Sequence, residues 1–138
     1  KQHKGEKKQI KRASKPRLFH SSAGLRISVG RNNRQNDLLT CKEAAPGDLW
    51  FHTQKIHGSH VILHTAGQPA DEQSMREAAM LAAWHSQARD GANVPVDYTQ
   101  VRYVKKPAGA KPGMVIYTTY RTVYVTPEES QVKTLREE

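Results

Sequence analysis

Residues 48–64 read Asp48-Leu49-Trp50-Phe51-His52-Thr53-Gln54-Lys55-Ile56-His57-Gly58-Ser59-His60-Val61-Ile62-Leu63-His64. Two strands are expected here, over 48–53 and 59–64, with residues 54–58 as the loop between them. Trp50 and Phe51 are adjacent, so on a strand they point to opposite faces. One is expected in the core and the other at the surface, free to stack. His60 and His64 are an even number of residues apart and share a face.

Working outward, residues 71–89 form the strongest helical segment. Asp71 can cap it, Glu72 suits its positive end, and Gly91 follows its close. Its five alanines, with Met75, Met80, Leu81 and Trp84, imply close packing on a sheet. Upstream, short strands are expected over 17–20 and 25–29, the second alternating apolar with polar residues. A short helix is expected from Asn33 to Ala44, with an Asn near its N-cap and with Leu38, Leu39 and Cys41 on its buried side. Downstream of Pro95, strands are expected over 97–106, 114–119 and 122–126. This order of elements predicts a single α+β domain, a mostly antiparallel sheet packed with one long and one short helix.

The chain has 138 residues, 36% hydrophobic and 25% charged, which suits one compact domain of ordinary size. No apolar run is long enough to cross a membrane as a helix, and no export signal is visible. Cys41 is the only cysteine, so neither an internal disulfide nor a multi-cysteine zinc site is open to it. A soluble protein of a reducing compartment is expected. Residues 1–17 carry eight Lys or Arg against one acid, +7 of the net +9, and the remaining 121 residues hold only +2. Residues 1–16 are therefore expected as a basic arm, either a linker near a polyanion or the end of a longer charged segment. Residues 128–138 are expected as a polar, acidic tail.

Three segments could carry chemistry. Arg31-Asn32-Asn33-Arg34-Gln35-Asn36 offers six hydrogen-bonding residues without an acid, at the start of a helix. Arg31 and Arg34 suit phosphate, while Asn32, Asn33, Gln35 and Asn36 suit sugar hydroxyls or base edges. The alternative is that the asparagines only cap and shape the turn. Asp37 is expected to order the loop internally.

Four histidines, His52, His57, His60 and His64, form the second segment with Ser59. Their spacing matches no zinc signature. His57-Gly58-Ser59 resembles half of a two-histidine phosphodiesterase motif, and His20-Ser21-Ser22 fits the same three-residue pattern without its flanking strand positions. Acid–base work on RNA, a stacking surface, and ordinary sheet histidines thus compete. The third segment, residues 105–113, places Lys105, Lys106 and Lys111 on a loop stiffened by Pro107 and Pro112. Phosphate contact and plain solvation both remain open there, and its glycines are not in a nucleotide-binding arrangement.

Gly30-Arg31-Asn32-Asn33-Arg34-Gln35-Asn36-Asp37 with Leu39-Thr40 resembles the leading motif of the NFACT-R domain. Asp48-Leu49-Trp50-Phe51-His52 and Gly58-Ser59-His60-Val61-Ile62-Leu63 resemble its central motif. Ala78-Ala79 through Ala82-Ala83, Val96-Asp97-Tyr98, Val104-Lys105-Lys106-Pro107 and Lys111-Pro112-Gly113 follow in the family's order. The ordered set spans residues 17–127. Tyr117-Thr118-Thr119-Tyr120 and Val123-Tyr124-Val125-Thr126-Pro127 are similar to bacterial members.

The resemblance implies the RNA-binding module of a ribosome quality-control factor of the RqcH, or fibronectin-binding-protein-like, family. Such factors act on large ribosomal subunits after stalled ribosomes split, and promote alanine tailing of the nascent chain. The expected partners are tRNA, rRNA of the large subunit and ribosomal proteins, in the cytoplasm, with no membrane, cofactor or metal. A preceding coiled coil in a longer chain would account for the basic arm. The expected contacts are Arg31, Asn32, Asn33, Arg34, Gln35 and Asn36, then His52, His57, Ser59 and His60, then Lys105, Lys106 and Lys111, with no catalytic residue. A histidine-dependent RNA-processing enzyme and a module binding ribosomal protein or fibronectin are the alternatives.

Overall fold

A computed structural model describes residues 15–137. Most of the expected basic arm, residues 1–14, lies outside the described residues. The elements are β1 (Arg17–His20), β2 (Arg26–Val29), α1 (Asn33–Leu38), a π-helical segment (Leu39–Glu43), β3 (Leu49–Thr53) and β4 (Val61–Leu63). After them come α2 (Glu72–Trp84), β5 (Val94–Gln100), a 3-10 turn (Val101–Tyr103), β6 (Val104–Lys105), β7 (Ile116–Tyr117), β8 (Arg121–Val125) and α3 (Glu129–Leu135). Six strands form one antiparallel sheet in the order β1-β2-β4-β3-β5-β8, and β6 and β7 form a separate two-stranded ribbon. The fold is α+β, as the order of elements predicts.

Both faces of the sheet are covered. On one, Phe19, Ile27, Val29, Phe51, Val61, Leu63 and Val96 pack against Ala78, Ala79, Leu81, Ala82 and Ala83 of α2. The alanines let helix and sheet approach closely, which is why the helix is rich in them. On the other face Leu39, Trp50, Ile62 and Val101 form a smaller cluster, covered by Val104, Val115 and Tyr117 of the ribbon. Trp50 pairs with Ile62 and Phe51 with Val61 across the central strands.

Trp50 and Phe51 do point to opposite faces, yet both are buried, 1% and 0% exposed. The expectation that one stays free to stack is therefore wrong. The ribbon lies over Trp50, with the Tyr117 ring 4.6 Å from the indole between centroids.

Other elements depart from expectation for local reasons. The helix expected over 33–44 is two segments. Leu38 is 43% exposed and Cys41 is exposed, while Gln35, Asn36, Leu39 and Thr40 are buried. The wider π turn shifts the side-chain phase, and the buried amides serve backbone donors: Asn36 Oδ1 accepts from His60 N, and Gln35 Oε1 from Arg31 N. α2 ends at Trp84, because residues 85–87 leave the helix to pair with the 57–59 loop: Ser59 N donates to His85 O and Gln87 N to His57 O. The strand expected over 97–106 starts at Val94 and breaks at the 3-10 turn, so its end joins the ribbon. The expected acidic tail contains α3, whose Val132 and Leu135 are buried in the main core.

Candidate nucleic-acid interface

The segments singled out in the sequence meet beside the face of the sheet that the ribbon covers. Asn32 caps α1, accepting from Gln35 N at 3.0 Å. Asp37, at the far end of that helix, accepts from Gly113 N at 2.8 Å and faces Lys106 Nζ at 3.3 Å. Lys106 also donates to Lys111 O at 2.6 Å. Asp37 thus orders the lysine loop and not, as expected, its own, and Lys106 is tied down by it. Gly113 has φ +85°, and a Cβ there would meet Asn33 Oδ1 at 2.7 Å, so only glycine lets the loop lie against the helix start.

His60 is the post on which this arrangement stands. Trp50 Nε1 donates to its Nδ1 at 3.1 Å, Thr40 Oγ1 lies 2.8 Å from the same nitrogen, and Nε2 lies 3.1 Å from Gly113 O. An indole N–H only donates, so Nδ1 carries no proton and Nε2–H donates to the carbonyl. Burial, with His52 beside it, pushes the His60 pKa down to about 3. His52 lies parallel to Trp50, 5.7 Å between centroids, with its ring nitrogens 2.7 Å from Thr53 O and 3.2 Å from Gly58 O. Burial lowers its pKa also.

Two clefts open beside this scaffold. The first, about 270 Å³, is lined by Arg17, Gly30, Arg31, Asn32, Asn33, Asn36, His57, Gly58, Ser59, His85, Ser86, Gln87 and Arg89. No acid lines it. The second, about 480 Å³, is lined by Trp50, His52 and His60 together with Lys55, Ile56, His57, Met114, Val115 and Tyr117. Asn33, His57 and Gly58 belong to both. A side chain on Gly58 would collide with Ser86 and Thr53, so the glycine is what keeps the 57–59 loop against the end of α2.

Electrostatically the first cleft is cationic. Arg17, Arg31 and Arg89 are exposed, and none makes an ion pair among the described residues. Arg31 Nε donates to Lys15 O, and Arg89 Nε donates to Trp84 O while its guanidinium lies 4.4 Å from the Trp84 ring centroid. Arg136 lines a neighbouring hollow with Arg17 and Arg31. Burial and the charges of Arg31, Arg136 and Arg89 lower the Arg17 pKa. His85 is pushed down to about 4, by burial first and then by Arg17, Arg89 and Arg136. Crowded like charges of this kind favour an anion.

The expected contact residues therefore divide. Arg31, Asn32, Asn33, Asn36, His57 and Ser59 come together at the first cleft, and His52, His57 and His60 at the second. Arg34, Lys105 and Lys111 are exposed but line neither. Gln35, Asn36 and His60, 3%, 4% and 1% exposed, are corrections: they are buried in the scaffold, where Gln35 Oε1 accepts from Arg31 N, Asn36 Oδ1 accepts from His60 N, and the His60 ring links Thr40 and Trp50 to Gly113 of the lysine loop. The sequence reading missed Arg17, Arg89 and Met114. Arg17 was traceable in principle, since β1–β2 pairing sets it opposite Val29, two residues before Arg31. Among the described residues no three His, Cys, Asp or Glu side chains are grouped to hold a metal ion.

Residues 15–119 match the family model for the NFACT protein RNA binding domain. The chain is 50% identical over 136 residues to the Rqc2 homolog RqcH of Bacillus subtilis, covering 99% of this chain and 24% of that protein. It is 34% identical over 74 residues to the human ribosome quality control complex subunit NEMF, covering 52% of this chain and 7% of that one. The chain thus spans about a quarter of the length of the bacterial relatives it matches. In structure it is similar to the C-terminal part of the fibronectin/fibrinogen-binding protein of Streptococcus suis. The TM-score is 0.86 at 41% identity, over 89% of this chain and 49% of that one. With its leading, central and lysine-loop motifs gathered around one pair of clefts, the chain belongs to the NFACT RNA-binding domain family.

Proposed function

We propose that this chain binds RNA as the binding module of a ribosome quality-control factor, with tRNA, large-subunit rRNA or both as ligand. In this reading the factor acts in the cytoplasm on large subunits left by stalled ribosomes, and the module supports alanine tailing of the nascent chain. The observation that carries the reading is the acid-free cleft with Arg17, Arg31 and Arg89 at its mouth. Guanidinium groups suit phosphate because their planar donors match its oxygens in pairs. Asn32, Asn33, His57 and Ser59 supply neutral hydrogen bonds beside them, and Arg34, Lys105 and Lys111 extend the positive surface. His52, Gln35, His60 and Lys106 hold the surface in shape.

The module binds without turning over its ligand. A general acid or base must exchange protons with its substrate, and His60 has both ring nitrogens engaged inside the fold. Exposed Ile116, Tyr120 and Tyr124 favour a second reading, docking of ribosomal protein or fibronectin. Salt separates the two: RNA affinity falls steeply with salt, whereas apolar docking does not. The test is binding of labelled tRNA and of a large-subunit rRNA fragment by the chain and by its Arg17→Ala/Arg31→Ala variant. Affinity is expected to fall about tenfold or more at physiological salt, with the unfolding midpoint unchanged. If the midpoint falls while affinity holds, the two arginines belong to the fold and the reading fails.

A further inference from the structure

The two clefts differ in chemistry and share a wall. The first presents three arginines without an acid; the second is lined by aromatic and imidazole rings together with Met114. Met114 is 60% exposed although apolar, and His57 is exposed as well. Polarisable sulfur and imidazole edges suit a flat heteroaromatic ring. At about 480 Å³ the second cleft lies in the size range of small-ligand pockets. Lys55 at its rim adds a positive charge and no acid lines it.

We propose that the paired clefts take one unpaired nucleotide of a single-stranded or looped RNA, its base between His57 and Met114 and its phosphate on Arg17, Arg31 and Arg89. The inference rests on the RNA-binding reading above and names the class of RNA. A base in a duplex is stacked and paired, so its faces are closed to such a slot; only a splayed base can enter. Asn33, common to both clefts, lies where the sugar joins base to phosphate. Its carboxamide can bond a ribose hydroxyl, since the residue is exposed.

The experiment titrates the intact chain with three labelled probes of equal length: a single-stranded RNA, the same strand carrying abasic sites, and the matching RNA duplex. The single strand is expected to bind about tenfold more tightly than either of the others. Met114→Ala is expected to remove most of that preference while leaving abasic and duplex binding unchanged. Arg17→Ala with Arg89→Ala is expected to weaken all three probes together. Equal affinity for the single strand and the abasic strand overturns the base slot while leaving RNA binding intact. Tighter binding of the duplex overturns it in the same way. If none of the probes binds, the RNA-binding reading falls and the slot falls with it.

Discussion

The His60 imidazole is almost wholly enclosed, and its proton inventory is dictated by its neighbours. Protonating Nδ1 would set an N–H against the Trp50 N–H that donates to it, inside a buried site. The native pKa near 3 lies well below the ordinary histidine value of 6.5. His85, near 4, is displaced in the same direction. Between pH 6.5 and the native values the unfolded chain holds more protons than the folded one, so stability falls as pH drops through that window. It is fully present above about pH 6.5, and below about pH 3 His60 adds no further loss. The expected outcome is a loss of a few kcal/mol between pH 7 and pH 4, read by urea unfolding. His60→Gln should be less stable at pH 7 yet show a shallower slope; an unchanged slope would assign the acid sensitivity elsewhere. Gly30 is as tightly specified. A Cβ there would collide with the Asn36 carboxamide that accepts from His60 N. Gly30→Ala should cost about 1–3 kcal/mol, by the same unfolding measurement.

At the scale of elements, legibility followed pattern strength. α2 was readable from Asp71, the alanine run and its apolar partners, because each feature is local and they agree. α3 was not readable: only Val132 and Leu135 of its seven residues are buried, and its polar remainder looks like a solvated tail. Leu135→Ala should cost about 2–4 kcal/mol if the helix is part of the core, and a tail residue would cost nothing measurable. The short helix before β3 failed in another way. Its burial follows hydrogen-bond demand at a chain crossing, which puts Gln35 and Asn36 inside and Leu38 outside, against hydropathy. The latch from that helix to the lysine loop is testable at one amide. Asp37→Ala removes the acceptor of Gly113 N–H, and hydrogen exchange at Gly113 should quicken by about tenfold or more. Asp37→Asn keeps an acceptor and should lie between. Exchange that does not change in Asp37→Ala would mean that the His60 contact alone holds the loop.

Over the whole molecule, charge and function divide unevenly along the chain. The motifs around α1, β3 and the lysine loop were visible because each is contiguous, and the fold draws them to one face. The cationic cleft was not visible, since Arg17, Arg31 and Arg89 come from β1, the α1 entry and the segment after α2, and only tertiary packing makes them neighbours. Residues 1–14 add six Lys or Arg against one acid, so the chain carries two cationic sources that a single affinity cannot separate. Salt dependence separates them. For single strands the slope of log affinity against log salt is about −0.7 for each neutralised phosphate, so the three cleft arginines account for a slope of about −2. A chain beginning at Lys15 should keep that slope while losing the share owed to the six arm charges, up to about −4. Arg17→Ala in the shortened chain should then make the slope shallower by about 0.7. A shortened chain with no measurable RNA affinity would assign all of the attraction to the arm. The clefts would then have a ligand other than RNA.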